Sequence, residues 1–206
     1  MDAIMVAPTK NPARTRPLLV LVTISILCAR AEAQNFFEVR VADTTYRYAD
    51  WLYTFRNSAI IDIFYDGVPG SNEFNFGGGY GFKIRRLTVS PLLYATIGKE
   101  ASQRGIRIGC LVTFDKDGWK LISYLSHFAP LSGGVSHYQS LDTLDFTRVM
   151  ARRWEFGVQN GFFHSEGKWN PQIGPLVKLN DRYGATSASY RFGPQREFRL
   201  SRTLTF

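Results

Sequence analysis

Three histidines stand beside hydroxyl and carboxyl side chains. His127 follows Ser126, His137 follows Ser136, and His164 precedes Ser165 and Glu166. A serine activated by a histidine, itself oriented by a carboxylate, supports acyl transfer or hydrolysis. His127, His137, His164, Ser126 and Glu166 are therefore the candidate catalytic residues. Ser165 is the immediate neighbour of His164, so in a strand the two would point to opposite faces. Three histidines could also hold a metal. No ligand pair at helical spacing and no nucleotide or phosphate-loop fingerprint accompanies them, so neither metal nor cofactor is expected. Gly77-Gly-Gly79 lies inside a strand pattern rather than at a strand-to-helix turn. A second group of polar residues shares one face of its segments: Asp62, Lys83, Arg107, Glu155, Gln159, Lys178, Arg191, Glu197 and Arg199. Such residues would either pair across an interior and fill it or line a narrow pore, weakly anion-preferring because cations outnumber anions among them.

The segments that must position these residues alternate with a period of two. Phe74, Phe76, Tyr80, Phe82 and Ile84 share one face, and Asn75, Gly77, Gly79, Gly81 and Lys83 share the other. Ile106, Ile108, Cys110 and Val112 oppose Arg107, Gly109 and Thr113, and Trp154, Phe156 and Val158 oppose Glu155, Gly157 and Gln159. This is a strand rhythm. It predicts ten strands: Ser58–Asp66, Glu73–Lys83, Leu87–Ile97, Arg104–Phe114, Trp119–Phe128, Thr143–Ala151, Trp154–Phe163, Pro171–Leu179, Tyr183–Phe192 and Glu197–Phe206. The glycine column Gly77, Gly79, Gly81 reads as room for curvature. Pro91 and Pro175 fall inside strands and call for bulges. Arg148 and Arg202 fall on the apolar face and need an explanation.

Residues 34–57 are aromatic and mixed. They are a lead-in, a plug or two further strands, so twelve is the rival count. The 206 residues carry a formal charge of +8 and include 16 Phe and 10 Tyr. Lys10, Arg14 and Arg16 precede the apolar run Leu18 to Ala29, and Ala31-Glu32-Ala33 follows. This pattern predicts a signal peptide over residues 1–33. Its removal would leave Cys110 as the one cysteine, so no internal disulfide is expected. A modest basic excess on an exported chain, without a basic helix, argues against nucleic acid.

The final strand carries the most specific signal. Phe198, Leu200, Leu204 and Phe206 alternate with Arg199, Ser201, Thr203 and Thr205, closing on an aromatic residue. With the signal peptide, this strand resembles the terminal assembly signal of bacterial outer-membrane β-barrel proteins. The resemblance implies an all-β fold, an antiparallel up-and-down transmembrane barrel over residues 58–206, in the outer membrane of a Gram-negative-type cell. Lipids, lipopolysaccharide and the barrel assembly machinery are its implied partners. Counting from that strand, Lys83–Arg86, Asp115–Gly118, Ala151–Arg153 and Asn180–Arg182 fall on the periplasmic side and are short. The connectors opposite are mostly longer, as in such barrels, and the three histidines map to that rim or its loops. Trp51, Trp119, Trp154 and Trp169 lie near span ends, where aromatic girdles sit. The expected function is a porin-like or structural barrel, with a narrow channel for small solutes. The segment Asn160–Gly167 is faintly similar to the H-x-S-N signature of lipid A deacylases, which makes a rim hydrolase the alternative. A soluble secreted β-sandwich that serves as a binding module is the other.

Overall fold

A computed structural model describes residues 29–30, 35–68, 71–98, 103–131 and 137–206. The expected signal peptide lies outside the described residues except for Ala29–Arg30, which pair with Phe82–Lys83.

Twelve strands form the barrel wall: β1 (Phe36–Ala42), β2 (Arg47–Thr54), β3 (Ala59–Val68), β4 (Ser71–Tyr80, continued past Gly81 by Phe82–Ile84), β5 (Leu87–Gly98), β6 (Gly105–Lys116), β7 (Trp119–Pro130), β8 (Tyr138–Ala151), β9 (Trp154–Ser165), β10 (Lys168–Asp181), β11 (Gly184–Arg191) and β12 (Glu197–Thr205). Each pairs antiparallel with the next. The ring closes where β12 pairs with β1, from Arg199 opposite Ala42 to Thr205 opposite Phe36. Every strand thus has two neighbours, which removes the edges a β-sandwich would keep. The soluble sandwich is excluded, and the strand count is twelve rather than ten.

The two additional strands come from residues 34–57. Alternation is masked there because both faces carry large rings. Tyr46 and Tyr48 turn inward and are buried, whereas Trp51 and Tyr53 stack against each other on the outer face. Both chain ends of the described barrel, Asn35 and Phe206, meet at one end, where the Phe206 amide donates to the Asn35 carbonyl at 3.2 Å. The turns 85–86, 117–118, 152–153 and 182–183 lie at that same end. At the opposite end the connectors 99–104 and 131–137 are longer, as expected. Those between β3 and β4 and between β9 and β10 are shorter than expected. Glu166 and Gly167 both take positive φ, at 51° and 74°, and close a two-residue hairpin.

Both prolines are held without a bulge. Gly79 pairs with Leu92 and Phe82 with Val89 in one unbroken register, and the ladder lapses only between them, opposite Pro91. The Gly81 amide donates instead to the Ser58 carbonyl at 2.9 Å. Pro175 likewise faces a lapse between the Ile173–Phe192 bridge and the Leu176–Ser189 pair. A missing N–H thus costs one rung on one side of each proline, and the register survives. The wall's one internal two-sided shift is elsewhere, in β8. Leu141 pairs with Leu125 and Phe162, while Thr143 pairs with Tyr124 and Leu144 with Asn160. One extra residue there makes a bulge, and Asp142 and Thr143 both face inward.

The barrel is inside-out. Leu93 and Ile108 at mid-wall are 58% and 59% exposed, and Phe74, Phe76, Phe156 and Ile173 share that outer surface. Arg107 is 2% exposed, and Glu155, Arg191 and Arg199 are also buried. Part of the interior is nevertheless apolar. Tyr48, Leu52, Phe64, Leu92, Tyr94 and Leu111 form a buried cluster that includes Tyr46 and Ile60, with Tyr124 against it. Glycine makes this possible at two places. A Cβ on Gly109 would come within 2.9 Å of the Tyr124 ring, and one on Gly77 within 2.0 Å of the Leu93 carbonyl. At Gly77 the neighbouring strand's backbone leaves no room for a side chain.

Candidate functional site: the barrel lumen

A charge withdrawn from water needs a partner, because burying it alone costs several kcal/mol. Most charges of the lumen meet this rule, in four clusters. At the end carrying the longer connectors, Arg107 reaches Glu73 and the Tyr138 hydroxyl, which itself donates to Glu73 at 2.6 Å. The Arg107 guanidinium lies 5.3 Å from the ring centres of both Phe64 and Tyr138. On the wall of β8 to β11, Lys178 bonds Asp145 at 2.7 Å, Gln159 donates to Asp145 at 2.8 Å, and Ser189 donates to Gln159 at 2.7 Å. Toward the short-turn end Glu155 takes Lys120, Asn180 and Thr147.

The fourth cluster spans the ring closure. Asp142, aimed inward by the bulge, accepts from Arg40 on β1, from Arg199 on β12 at 3.3 Å and from the Tyr46 hydroxyl at 3.4 Å. Arg40 also reaches Glu38 at 3.1 Å and Thr143 at 3.3 Å, and Arg199 shares Glu197 with Arg191, whose bond is 2.7 Å. Aromatic rings back the two arginines: Arg40 lies 4.7 Å from the centre of Tyr48 and Arg199 4.4 Å from that of Tyr46.

Two cavities follow from this packing. One, of about 940 Å³, opens toward the short-turn end and is lined by Lys83, Arg85, Lys120, Tyr48 and Asp62 among others. The second, of about 500 Å³, opens toward the other end beside Glu73, Tyr138, Arg191 and Arg199. Asp142 lines both. The bulge therefore stands at the waist of the lumen.

The expected lumenal residues Asp62, Lys83, Arg107, Glu155, Gln159, Lys178, Arg191, Glu197 and Arg199 all belong to the inner face. Spacing alone does not assign Glu38, Arg40, Asp50, Asp66, Glu73, Lys120, Asp142 and Asp145 to the inner face. Four of these lie on β1 to β3, in or beside the segment whose rhythm is masked, and Asp142 falls outside the expected strands because a bulge leaves no periodic trace. These carboxylates cancel the cationic excess counted from spacing. On a formal count, cations therefore do not outnumber carboxylates on the inner face.

The catalytic candidates are brought to the same end but not together. Ser126 turns inward, where it contacts Ser140 at 3.0 Å and Arg107 at 3.4 Å. His127 turns outward and stacks on His137 at 5.7 Å. His164 also faces outward, stacked on Trp169 at 4.2 Å, and Glu166 occupies the hairpin turn. The barrel wall separates Ser126 from His127, so no Ser–His–acid geometry forms from these residues.

The two arginines of the outer face are explained by depth. Arg202 bonds Asp181 at 2.7 Å and Thr186 at 3.0 Å beside the 182–183 turn. Arg148 lies 5.0 Å from the Trp119 ring, at the first residue of β7. Both sit at the rim, where an arginine costs little against about 2–4 kcal/mol at mid-depth.

Twelve closed strands, an apolar outside and a charged inside match solved outer-membrane channels. The structure is similar to a KdgM porin, also solved in complex with disordered oligogalacturonate, over 84% of this chain and 99% of that one, with a TM-score of 0.62 and 10% identity. It is similar to the NanC porin over 84% and 99%, with a TM-score of 0.58 and 9% identity. The Acinetobacter baumannii outer membrane protein Omp33 aligns over 85% and 98%, with a TM-score of 0.50 and 10% identity. The fold is that of an outer-membrane porin barrel. No protein-family model matches the chain, and none of the curated proteins matches it in sequence. The likeness therefore resides in the backbone, and the lumen must be read from this chain's own residues.

Proposed function

We propose that the protein is a narrow outer-membrane channel for small solutes, exported by the signal peptide of residues 1–33 and inserted with its short turns toward the periplasm. The observation that carries this reading is the inversion of the wall. Apolar side chains face out in a belt, while charged and hydrogen-bonded ones face cavities of about 940 and 500 Å³ that meet at Asp142. In water that outer belt would be an exposed hydrophobic surface far beyond what soluble monomers carry. In lipid it is the solvent-facing side, and closure satisfies the backbone. Lipids and lipopolysaccharide then surround the belt. The strand with Phe198, Leu200 and Leu204 facing out is the one read by the assembly machinery. Swelling of liposomes that contain the refolded barrel tests the reading. Small sugars and sugar acids should enter faster than into empty liposomes, with rates falling steeply as solute size grows. Equal rates with and without correctly folded protein would overturn it.

A further inference from the structure

One acidic pair stands outside the four clusters. Glu38, Glu73, Asp142, Asp145, Glu155 and Glu197 each hold an arginine or a lysine. Asp50 on β2 and Asp62 on β3 face inward at 7% and 4% exposure and hold neither among the described residues. Each gives one oxygen to a tyrosine: Tyr48 donates to Asp50 Oδ2 at 3.1 Å, and Tyr94 donates to Asp62 Oδ2 at 2.7 Å. The other oxygen of each, Oδ1, is buried and has no hydrogen-bond partner among the described residues. The two carboxyl groups stand within hydrogen-bonding reach of each other. The Tyr124 hydroxyl is likewise buried without a partner among the described residues. It comes over Gly109, where no side chain intervenes, and its ring lies 6.0 Å from Phe64 and 6.5 Å from Tyr94. Asp50, Asp62 and Tyr124 all line the cavity of about 940 Å³. No third carboxylate, imidazole or thiol joins the pair into a metal-binding group among the described residues.

We propose that Asp50, Asp62 and Tyr124 form a site in the larger cavity for the primary ammonium group of a small organic solute. A primary ammonium carries three N–H donors, and the site presents three buried oxygens that no donor meets. Its charge is the cation that the carboxylate pair lacks, and an unpaired buried carboxylate is costly. The rings of Tyr48, Phe64 and Tyr94 pack one on the next beside the pair, at 5.8 and 5.2 Å, and offer a cation aromatic surface. This inference rests on the channel reading above and names a solute class for it.

Ethanolammonium is the probe, read by block of single-channel current and by calorimetric binding to the refolded barrel in detergent. It should block wild type, whereas tetramethylammonium, a cation without N–H donors, should need concentrations severalfold higher. Asp50→Asn/Asp62→Asn keeps an oxygen for Tyr48 and for Tyr94 but removes both charges. It should raise the blocking concentration of ethanolammonium by about tenfold or more. Tyr124→Phe should raise it severalfold. Heat-modifiable mobility in detergent establishes that each variant is folded, and Asp62→Asn alone serves if the double variant is not. Equal block of wild type and the folded variants overturns the inference, as does equal block by the two ammonium ions or tighter binding of calcium than of ethanolammonium. A wild-type barrel that binds none of these cations, its carboxyl pair closed by a proton of its own, overturns it as well. Ethanolammonium binding in detergent that the variants lose, in a barrel that inserts into bilayers but passes no current, overturns the channel reading alone.

Discussion

Arg107 shows what a single lumenal residue contributes. Its guanidinium is closed in by Glu73, Tyr138 and Phe64, so removing it would leave Glu73 charged and unpaired in the wall. Arg107→Ala is expected to lower the unfolding free energy by about 3–5 kcal/mol, the usual result of breaking a buried pair from one side. Lys116→Ala, at a pair whose two side chains are 53% and 73% exposed, should change it by less than about 0.5 kcal/mol. Urea titration in liposomes reads both. The histidines make the contrary case. His127 and His164 face away from the serines nearest them in sequence, and replacing both with alanine is expected to leave lipid A acylation unchanged in cells that express the protein. A change that tracks the mutations would revive the hydrolase. Arg107, Arg191 and Arg199 were legible because each sits on a strand with clean alternation. Arg40 was not, because tyrosines and tryptophan occupy both faces around it.

Strand by strand, the outer face explains why the rhythm could be read at all. Lipid favours an apolar residue at every second position, and β4 and β6 comply over most of their length, as does the first half of β9. The same demand gives a depth-dependent prediction. Leu93→Arg at mid-wall should cost about 2–4 kcal/mol, and Leu204→Arg beside the terminal rim about 0–1 kcal/mol, in the same urea titration. Comparable costs at both positions would mean that the outer belt does not face a bilayer. Gly79 faces a different constraint: a Cβ there would lie 1.9 Å from the Pro91 carbonyl. Gly79→Val should therefore reduce the yield of heat-modifiable barrel, whereas Gly167→Ala, with nothing within 4 Å of an added Cβ but a φ of 74°, should cost about 1 kcal/mol through backbone strain alone. Prolines taught the opposite lesson. Spacing suggested bulges at Pro91 and Pro175, but each is met by a lapse in one ladder, and the true bulge falls at Asp142, where no proline or glycine marks it.

At the scale of the molecule, closure is the organising fact. The strands of residues 36–54 complete the ring, and β1 brings Arg40 across the seam from Arg199, so the waist exists only in the twelve-stranded barrel. Glu38, Arg40, Tyr48 and Asp50 of these strands line the larger cavity. Parity from the terminal strand was enough to sort short turns from longer connectors and to place all three histidines at one end. It could not tell whether the lumen is filled, since that depends on which inward residues meet across the ring rather than along it. The aromatic cluster around Phe64 narrows one side, and the ion-paired wall of β8 to β12 leaves the rest. Single-channel recording of the refolded wild-type protein in planar bilayers tests this most directly. Small, discrete and uniform conductance steps are predicted, without strong selectivity between chloride and potassium. Barrels that show heat-modifiable mobility and insert into the bilayer yet give no steps at any voltage would contradict it.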